Sequence, residues 1–193
     1  MKRFVFLALM ALFGAAGYGA YLWLTPAPAF HGTLLETPRP LGELTFAAGG
    51  ERVTLAQWQD RLVVVFFGFT HCPDICPLTM ARLAHIYRNL GEPAEVQVVM
   101  ITVDPARDTP EVVQRYAAQF HPSFVGLSGT PEDIADAARS FFVGFRELVG
   151  GQFTHTDAIF LLDRQAQMRL IYRQDNVLRL EQDLQTILAQ RLW

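Results

Sequence analysis

Apolar residues along this chain follow two periodicities, which together predict alternating strands and helices. Short runs rich in Val, Ile and Phe indicate β-strands, whereas apolar residues spaced three and four apart indicate helices. The predicted strands are 63–67, 96–103, 123–127, 141–148, 158–162 and 168–172, with a hairpin of 44–46 and 52–55 around Gly49-Gly50. The predicted helices are 77–90, 110–120, one starting at 131, and 177–192.

Two of the helices have a clear starting signal in the sequence. Thr109 and Thr130 each precede a proline, and threonine is favoured at the N-cap, while proline is favoured at the first helical position. Strands and helices alternate at first, and a strand pair with a final helix ends the chain. This order predicts an α/β fold with a central mixed sheet and helices on both faces. A thioredoxin-like fold with an inserted segment fits it.

The first 24 residues have a different pattern, because they are apolar without interruption from Phe4 to Leu24. Such a stretch is long enough to cross about 30 Å of hydrocarbon. Lys2 and Arg3 precede it, so the positive-inside rule keeps the N-terminus in the cytoplasm and places the rest outside. A cleaved signal peptide is the alternative, with Ala27-Pro28-Ala29 as its site. We favour an uncleaved anchor, since the apolar stretch exceeds a signal peptide's usual apolar region.

Composition divides the rest of the chain into a tether and one domain. Residues 25–40 are rich in proline and small residues and predict a tether, so the domain is expected at 41–193. The chain is 51% hydrophobic and 18% charged, which fits one globular domain plus an apolar segment. Its formal net charge is −3 and it has no basic run, which argues against nucleic-acid binding.

The chain has two cysteines, Cys72 and Cys76, and each is followed by a proline. They lie between the predicted strand 63–67 and the predicted helix 77–90, where α/β folds often place their sites. Pro77 suits the first helical position, so Cys76 is expected near the N-cap. Backbone N–H groups and the helix dipole would lower the pKa of a thiol there.

The spacing of the two cysteines leaves several chemistries open. On a helical turn their Cα atoms would be roughly 6 Å apart, which is within the range for a disulfide. The pair could therefore form a reversible disulfide or bind one soft metal ion. A purely structural disulfide or a pair of inert thiols is the alternative. We disfavour it, because so short a ring gains little loop-closure entropy.

A histidine could complete a thiolate site for copper or zinc. His155 is the best candidate, because it lies in a small, polar stretch just before strand 158–162. That stretch would approach the cysteines if the two strands were neighbours, and otherwise His155 is an ordinary loop residue. The remaining histidines are weaker candidates. His31 and His121 are expected in solvent, and the side chain of His71 is expected to point away from the sulfurs. His85 is expected roughly 13 Å from Cys76 along the helix axis, which is too far to share a metal ion.

Three blocks of the sequence resemble the Sco/SenC family. They are Gly68-Phe69-Thr70-His71-Cys72-Pro73-Asp74-Ile75-Cys76-Pro77, then Val103-Asp104-Pro105-Ala106-Arg107-Asp108-Thr109-Pro110, then Thr154-His155 leading into Ile159-Phe160-Leu161-Leu162-Asp163. Members of this family are membrane-anchored, thioredoxin-fold copper proteins. They help to assemble the binuclear copper centre of cytochrome c oxidase subunit II. The resemblance spans about residues 40–190.

The resemblance implies that Cys72, Cys76 and His155 are copper ligands. Two thiolates and an imidazole suit Cu(I), and they suit Cu(II) with an added oxygen ligand. Asp74 is the candidate for that oxygen, with a turn-capping role as the alternative. The family commonly has Asp before the histidine, where this chain has Thr154. An acidic residue before the histidine could orient the imidazole through a hydrogen bond. Thr154 has no carboxylate for this role, and Asp157 or Asp74 could substitute.

The function implied is that of a copper metallochaperone, not an enzyme. It would lie in the plasma (inner) membrane with its domain on the extracytoplasmic side, and pass copper to oxidase subunit II by ligand exchange. A thioredoxin-like reductant and a copper donor protein are further expected partners. The alternative is a thiol–disulfide oxidoreductase, although such enzymes use C-x-x-C and need no distant histidine. A peroxidase would need an arginine-assisted cysteine pocket, which the sequence does not display. Met80 and Asp104 are expected to be structural.

Overall fold

The computed structural model describes residues 28–148 and 153–193, together with Met10 and Gly14. Within these residues the chain forms strands, α-helices and two short 3-10 turns. The strands are β1 (Thr33–Pro40), β2 (Thr45–Ala48), β3 (Glu51–Thr54), β4 (Leu62–Gly68), β5 (Val96–Thr102), β6 (Val125–Leu127), β7 (Phe145–Glu147), β8 (Phe153–His155), β9 (Ala158–Leu162) and β10 (Gln167–Arg173). The α-helices are α1 (Ile75–Asn89), α2 (Pro110–Phe120), α3 (Pro131–Ser140) and α4 (Leu180–Gln190).

The main sheet is mixed, as the order of predicted elements indicated. Its strands follow the order β1-β10-β9-β4-β5-β6. Strands β4, β5 and β6 run parallel, while β9 is antiparallel to β4, and β10 and β1 continue antiparallel from it. Two ribbons, β2-β3 and β7-β8, lie outside this sheet.

Helices cover both faces of the sheet, which confirms the predicted layering. All residues of β4 and β5 are buried, as expected for parallel strands covered on both sides. Val64 of β4 lines one small cavity with Leu83 of α1 and Leu184 of α4. On the opposite face, Phe141 at the end of α3 packs against Phe67, with ring centroids 5.2 Å apart.

Helices α2 and α3 begin where the threonine–proline pairs predicted. The Thr109 hydroxyl accepts a hydrogen bond from the Val112 amide at 3.4 Å. Thr130 forms a reciprocal capping box with Asp133, in which each side chain accepts from the other residue's backbone N–H. Because these contacts are local, the sequence was enough to predict them.

Two stretches differ from the sequence-based prediction. Residues 33–40 lie in the sheet as edge strand β1, although their composition predicted a tether. Most of their side chains are exposed, so the strand pairs through its backbone and has no apolar alternation to reveal it. The predicted strand 141–148 shortens to β7, because Phe141 closes α3 through a hydrogen bond to the Ala137 carbonyl.

The predicted membrane anchor, residues 1–24, lies outside the described residues except for Met10 and Gly14. Across 28–148 and 153–193, every helix is too short or too polar to cross a bilayer.

Strand direction determines which loops meet at one edge of the sheet. Because β9 is antiparallel to β4, with Phe66 paired to Ile159, the start of β9 lies beside the end of β4. The residues after Gly68 and those before Ala158 therefore share this edge. The first group holds both cysteines and the second holds His155.

Candidate metal centre

The cysteines lie at the junction between β4 and α1. Helix α1 begins at Ile75 with Asp74 at the N-cap position, two residues earlier than predicted, so Cys76 belongs to its first turn. Cys76 is buried and Cys72 is partly exposed, and both are free thiols. The Cys76 backbone N–H donates a hydrogen bond to the Cys72 sulfur at 3.4 Å. The two thiols therefore lie side by side.

The protonation of Cys76 differs from the sequence-based expectation. Burial raises the pKa of the Cys76 thiol far above its ordinary value, and the hydrogen bond with Cys72 adds to the rise. A backbone hydrogen bond from Phe69 acts in the opposite direction. The prediction that the helix N-terminus would lower this pKa is wrong, because desolvation of the buried thiolate outweighs the helix dipole.

His155 lies next to Cys76, as the resemblance implied. It ends β8, where it pairs with Phe145 of β7. Its Nε2 atom is 3.5 Å from the Cys76 sulfur. The rings of Phe66 and Phe69 meet the imidazole edge-on, with centroids 6.1 and 6.2 Å away, and so restrict its orientation.

The contact made by the other ring nitrogen of His155, Nδ1, shows which nitrogen carries the proton. Nδ1 of His155 is 3.1 Å from the Thr156 carbonyl oxygen. A carbonyl can only accept, so Nδ1 carries the proton and a neutral ring has its lone pair on Nε2. The outer partner of the imidazole is thus a backbone carbonyl, and neither Asp157 nor Asp74 takes that role. This arrangement leaves Nε2 ready to bind a metal ion.

The three predicted ligands form a chain of contacts with Cys76 in the middle. Cys72 contacts Cys76, and Cys76 contacts His155. As they stand, no group of three or more His, Cys, Asp and Glu side chains within 28–148 and 153–193 is arranged to hold a metal ion.

A buried carboxylate, missed by the sequence reasoning, holds the cysteine loop in place. Asp108 is fully buried and accepts hydrogen bonds from the Thr70 amide at 2.9 Å and the Thr102 hydroxyl at 2.7 Å. It also accepts from the Thr70 hydroxyl, and His71 Nδ1 lies 3.7 Å from it. Asp108 lies in block 103–110, one of the three blocks that carry the family resemblance. That position was the only indication in the sequence that Asp108 has a role at the site.

The other side chains weighed from the sequence lie outside the cysteine–histidine cluster. Met80 is buried in the core, and Asp104 pairs with Arg107, so both are structural as predicted. Asp74 is exposed and makes no capping hydrogen bond.

One of the other histidines differs from expectation. The His121 side chain is only 11% exposed and lies 3.4 Å from Glu92, so the prediction that it is solvated is wrong. His31 is exposed as predicted, and its Nδ1 atom lies 2.8 Å from a carboxylate oxygen of buried Asp183. Neither contact involves the cysteine cluster, so the structure adds no metal ligand here.

Comparison with known proteins identifies the family. The family model described as SCO1/SenC matches residues 43–189. The chain belongs to the SCO1/SenC family. A mitochondrial SCO1 homolog 1 of Arabidopsis thaliana is 37% identical over 132 residues, which are 67% of this chain and 38% of the relative. The chain thus spans well under half of that relative's length.

Solved structures of this family share the fold. Apo Sco1 from Thermus thermophilus has a TM-score of 0.75 at 38% identity, covering 84% of this chain and 99% of the other. Arabidopsis thaliana ScoI, solved with copper bound, has a TM-score of 0.71 at 31% identity, covering 79% and 98%. BsSco, described as a cytochrome c oxidase assembly protein with a disulfide switch, has a TM-score of 0.62 at 22% identity, covering 79% and 98%. That last likeness concerns the fold alone.

Proposed function

We propose that this protein is a copper metallochaperone that binds Cu(I) through Cys72, Cys76 and His155. It delivers the metal to the binuclear copper centre of cytochrome c oxidase subunit II. The observation that carries the proposal is the 3.5 Å contact between the Cys76 sulfur and His155 Nε2, beside a second free thiol. Family membership and the copper-bound Arabidopsis relative support it.

The donor set suits a soft cation. Thiolate sulfur selects Cu(I), and imidazole nitrogen is a common copper ligand. The raised pKa of Cys76 means that this thiol holds its proton until the metal displaces it, so binding releases protons. Cu(II) would take a further oxygen ligand, for which exposed Asp74 is the candidate.

Delivery proceeds by ligand exchange between this site and the acceptor. Cys72 is partly exposed whereas Cys76 is buried, so an incoming thiolate replaces Cys72 first. Cys76 and His155 then release the ion as further acceptor ligands bind. A copper donor protein refills the site by the same exchange in reverse.

The ligand set is tested by Cu(I) titration of the purified, reduced, full-length protein against a colorimetric Cu(I) chelator. We expect one Cu(I) per chain. His155→Ala should weaken binding by more than about 100-fold, since even outer-shell partners contribute about 10- to 100-fold. His85→Ala is the matched control, because His85 is exposed on α1 and bonds to Asn89. Unchanged affinity in His155→Ala would overturn the proposal.

Thiol–disulfide exchange is the second candidate function, favoured by the unequal exposure of the cysteines. The partly exposed Cys72 thiolate attacks the acceptor's disulfide and forms a mixed disulfide, releasing one acceptor thiolate. Cys76 then attacks Cys72, which frees the second acceptor thiol and leaves Cys72–Cys76 oxidised. A thioredoxin-like dithiol reductant restores the pair.

The two cysteine variants test this candidate. Cys76→Ser should trap a mixed disulfide with an oxidised dithiol peptide, whereas Cys72→Ser should not. Equal behaviour of the two variants, or no mixed disulfide in either, would count against a reductase role. Copper binding is a separate measurement, so either function can fail alone.

We also propose that residues 1–24 form a single-pass anchor in the plasma (inner) membrane, with the domain on its extracytoplasmic side. The uninterrupted apolar stretch after Lys2 and Arg3 supports this topology. We place the connecting tether before Phe30, because the Phe30 ring packs against Trp193 and His31 bonds to buried Asp183. External protease should degrade the domain in intact spheroplasts. Recovery of a soluble protein lacking the first residues would instead support a signal peptide.

A further inference from the structure

The Gln174 side chain joins the two halves of the candidate metal centre. It lies directly after β10, partly buried. The antiparallel register pairs Arg173 with Ala158, so the next position along each strand brings Gln174 opposite Asp157. The fold thus places this amide at the sheet edge where the cysteine loop and His155 meet.

Every polar atom of the Gln174 amide has a partner. The Nε2 group donates to the Thr79 hydroxyl at 2.8 Å and to the Asp157 carboxylate at 2.7 Å. The Oε1 atom accepts from the Arg82 guanidinium. The carboxylate can only accept and the guanidinium can only donate, so one orientation of the amide satisfies both.

These partners belong to two separate parts of the chain. Thr79 and Arg82 lie on α1, and Thr79 is one helical turn after Cys76. Asp157 is two residues after His155, in the link between β8 and β9. Gln174 therefore connects the helix that carries one ligand to the segment that carries another.

We propose that Gln174 is a positioning residue of the metal centre, which holds His155 within reach of Cys76 by binding α1 and Asp157 together. This inference rests on the proposed copper function. Gln174 acts on the ligands only through its partners. Its removal leaves the cysteine pair intact but allows the segment of His155 to move away from α1.

Gln174→Ala is the direct test, made on the purified full-length protein. Cu(I) affinity should fall by about 10- to 100-fold, the usual effect of removing an outer-shell partner of a metal ligand. The electron paramagnetic resonance spectrum of the Cu(II) form should lose or broaden the nitrogen hyperfine coupling of His155. The rate at which Cys72 and Cys76 form a disulfide should remain unchanged. If Gln174 had a purely structural role, its loss would change the rate of disulfide formation together with copper affinity and the nitrogen coupling.

Gln114→Ala is a matched control, because Gln114 is also a bridging glutamine. Its amide donates to the Phe124 carbonyl at 3.1 Å and accepts from the Gly126 amide at 3.0 Å, joining α2 to β6. Its loss should lower the Tm without altering copper affinity or the nitrogen coupling. Equal loss of copper affinity in both variants would show a general stability effect and overturn the proposal.

Variants of Asp157 test the other end of the connection. Asp157→Asn keeps an oxygen that can accept from Gln174, so it should lose less affinity than Asp157→Ala. The double variant Gln174→Ala/Asp157→Ala should be no weaker than the worse single variant, because both remove the same bridge. Additive losses would overturn the proposal.

The outcomes distinguish this inference from the copper proposal itself. If His155→Ala weakens copper binding and Gln174→Ala does not, the positioning role fails and the copper site stands. If His155→Ala has no effect, the copper proposal fails first. In that case a loss on Gln174→Ala would also contradict the positioning role, since it acts through His155.

Discussion

The cysteine side and the histidine side of the candidate centre are held by very different structures. The cysteine side follows β4, a fully buried central strand, and its loop is fixed by the buried carboxylate of Asp108. The histidine side ends β8, a three-residue strand of a two-stranded ribbon outside the main sheet. A ribbon of two strands has little stability of its own, so His155 depends on a few contacts for its position.

This difference bears on the proposed metal transfer. Partly exposed Cys72 is replaced first in that transfer, and the loosely held His155 can then leave the ion at a lower cost than buried Cys76. The cysteines are bound to the core, whereas His155 is held by the Thr156 carbonyl, two ring contacts and the Gln174 connection. We therefore expect changes on the cysteine side to affect global stability, and changes on the histidine side to affect mainly copper affinity.

The largest effect is expected from Asp108→Ala. This change leaves the Thr70 amide and the Thr102 hydroxyl without their acceptor. Each unsatisfied buried group costs about 1–3 kcal/mol, so the free energy of unfolding should fall by about 3 kcal/mol or more. Urea denaturation at neutral pH measures this, and copper affinity should fall as the loop loosens.

Two further variants show whether the network or the charge matters. Asp108→Asn keeps the size and one acceptor oxygen, so it should cost less than the alanine change. Asp136→Ala removes an exposed carboxylate that pairs with Arg139, and should change stability by no more than about 0.5 kcal/mol. A negligible loss in Asp108→Ala would remove the basis for calling the cysteine side the rigid one.

Gly68→Ala should have an intermediate effect. An added Cβ would lie 2.8 Å from a Phe66 ring carbon and 3.1 Å from the Cys76 sulfur. Overpacking of this kind costs about 1–3 kcal/mol, and displacement of the sulfur should weaken copper binding. Calorimetric unfolding and Cu(I) titration are the measurements.

Gly144→Ala is the corresponding change on the histidine side. Its nearest neighbour would be the Thr156 hydroxyl at 3.7 Å, which is an ordinary contact, so stability should stay nearly constant. Similar losses in the two alanine variants would contradict the proposed difference in packing between the two sides.

Thr156→Val should lower stability less than Asp108→Ala or Gly68→Ala. The Thr156 hydroxyl accepts from the Gly144 amide at 3.0 Å and lies 3.4 Å from the Gly144 carbonyl. Valine keeps the shape and loses both contacts, at a cost of about 1 kcal/mol. Copper affinity should nevertheless fall several-fold, because the ribbon positions His155.

Thr154→Val serves as the control on the same ribbon, since Thr154 is exposed and precedes His155. Both its stability and its copper affinity should stay close to those of the unchanged protein. If Thr156→Val lowers stability without lowering copper affinity, the ribbon does not control His155.

Much of the fold could be predicted because its signals are local. The apolar runs that form β4, β5 and β9 and the threonine–proline starts of α2 and α3 depend on neighbouring residues alone. Edge strand β1 could not be found this way, because its pairing with β10 uses backbone groups and its side chains are mostly exposed.

The candidate site likewise has features that the sequence predicted and features that it did not. The cysteine pair and its place between a strand and a helix follow from the sequence, and the resemblance added His155. The protonated state of Cys76 did not follow, because burial depends on residues far away in the chain. Nor did the parts played by Asp108 and Gln174, whose partners include residues 38 and 95 positions away.

The sequence by itself determined the elements, the thiol pair and the family pattern, since each of these depends on the order of residues along the chain. Only the tertiary structure decided that His155 meets Cys76, because this contact requires β9 to lie antiparallel beside β4. It also decided that the two sides are anchored unequally. Anchoring depends on burial and on hydrogen bonds between distant segments, and these exist only once the chain has folded.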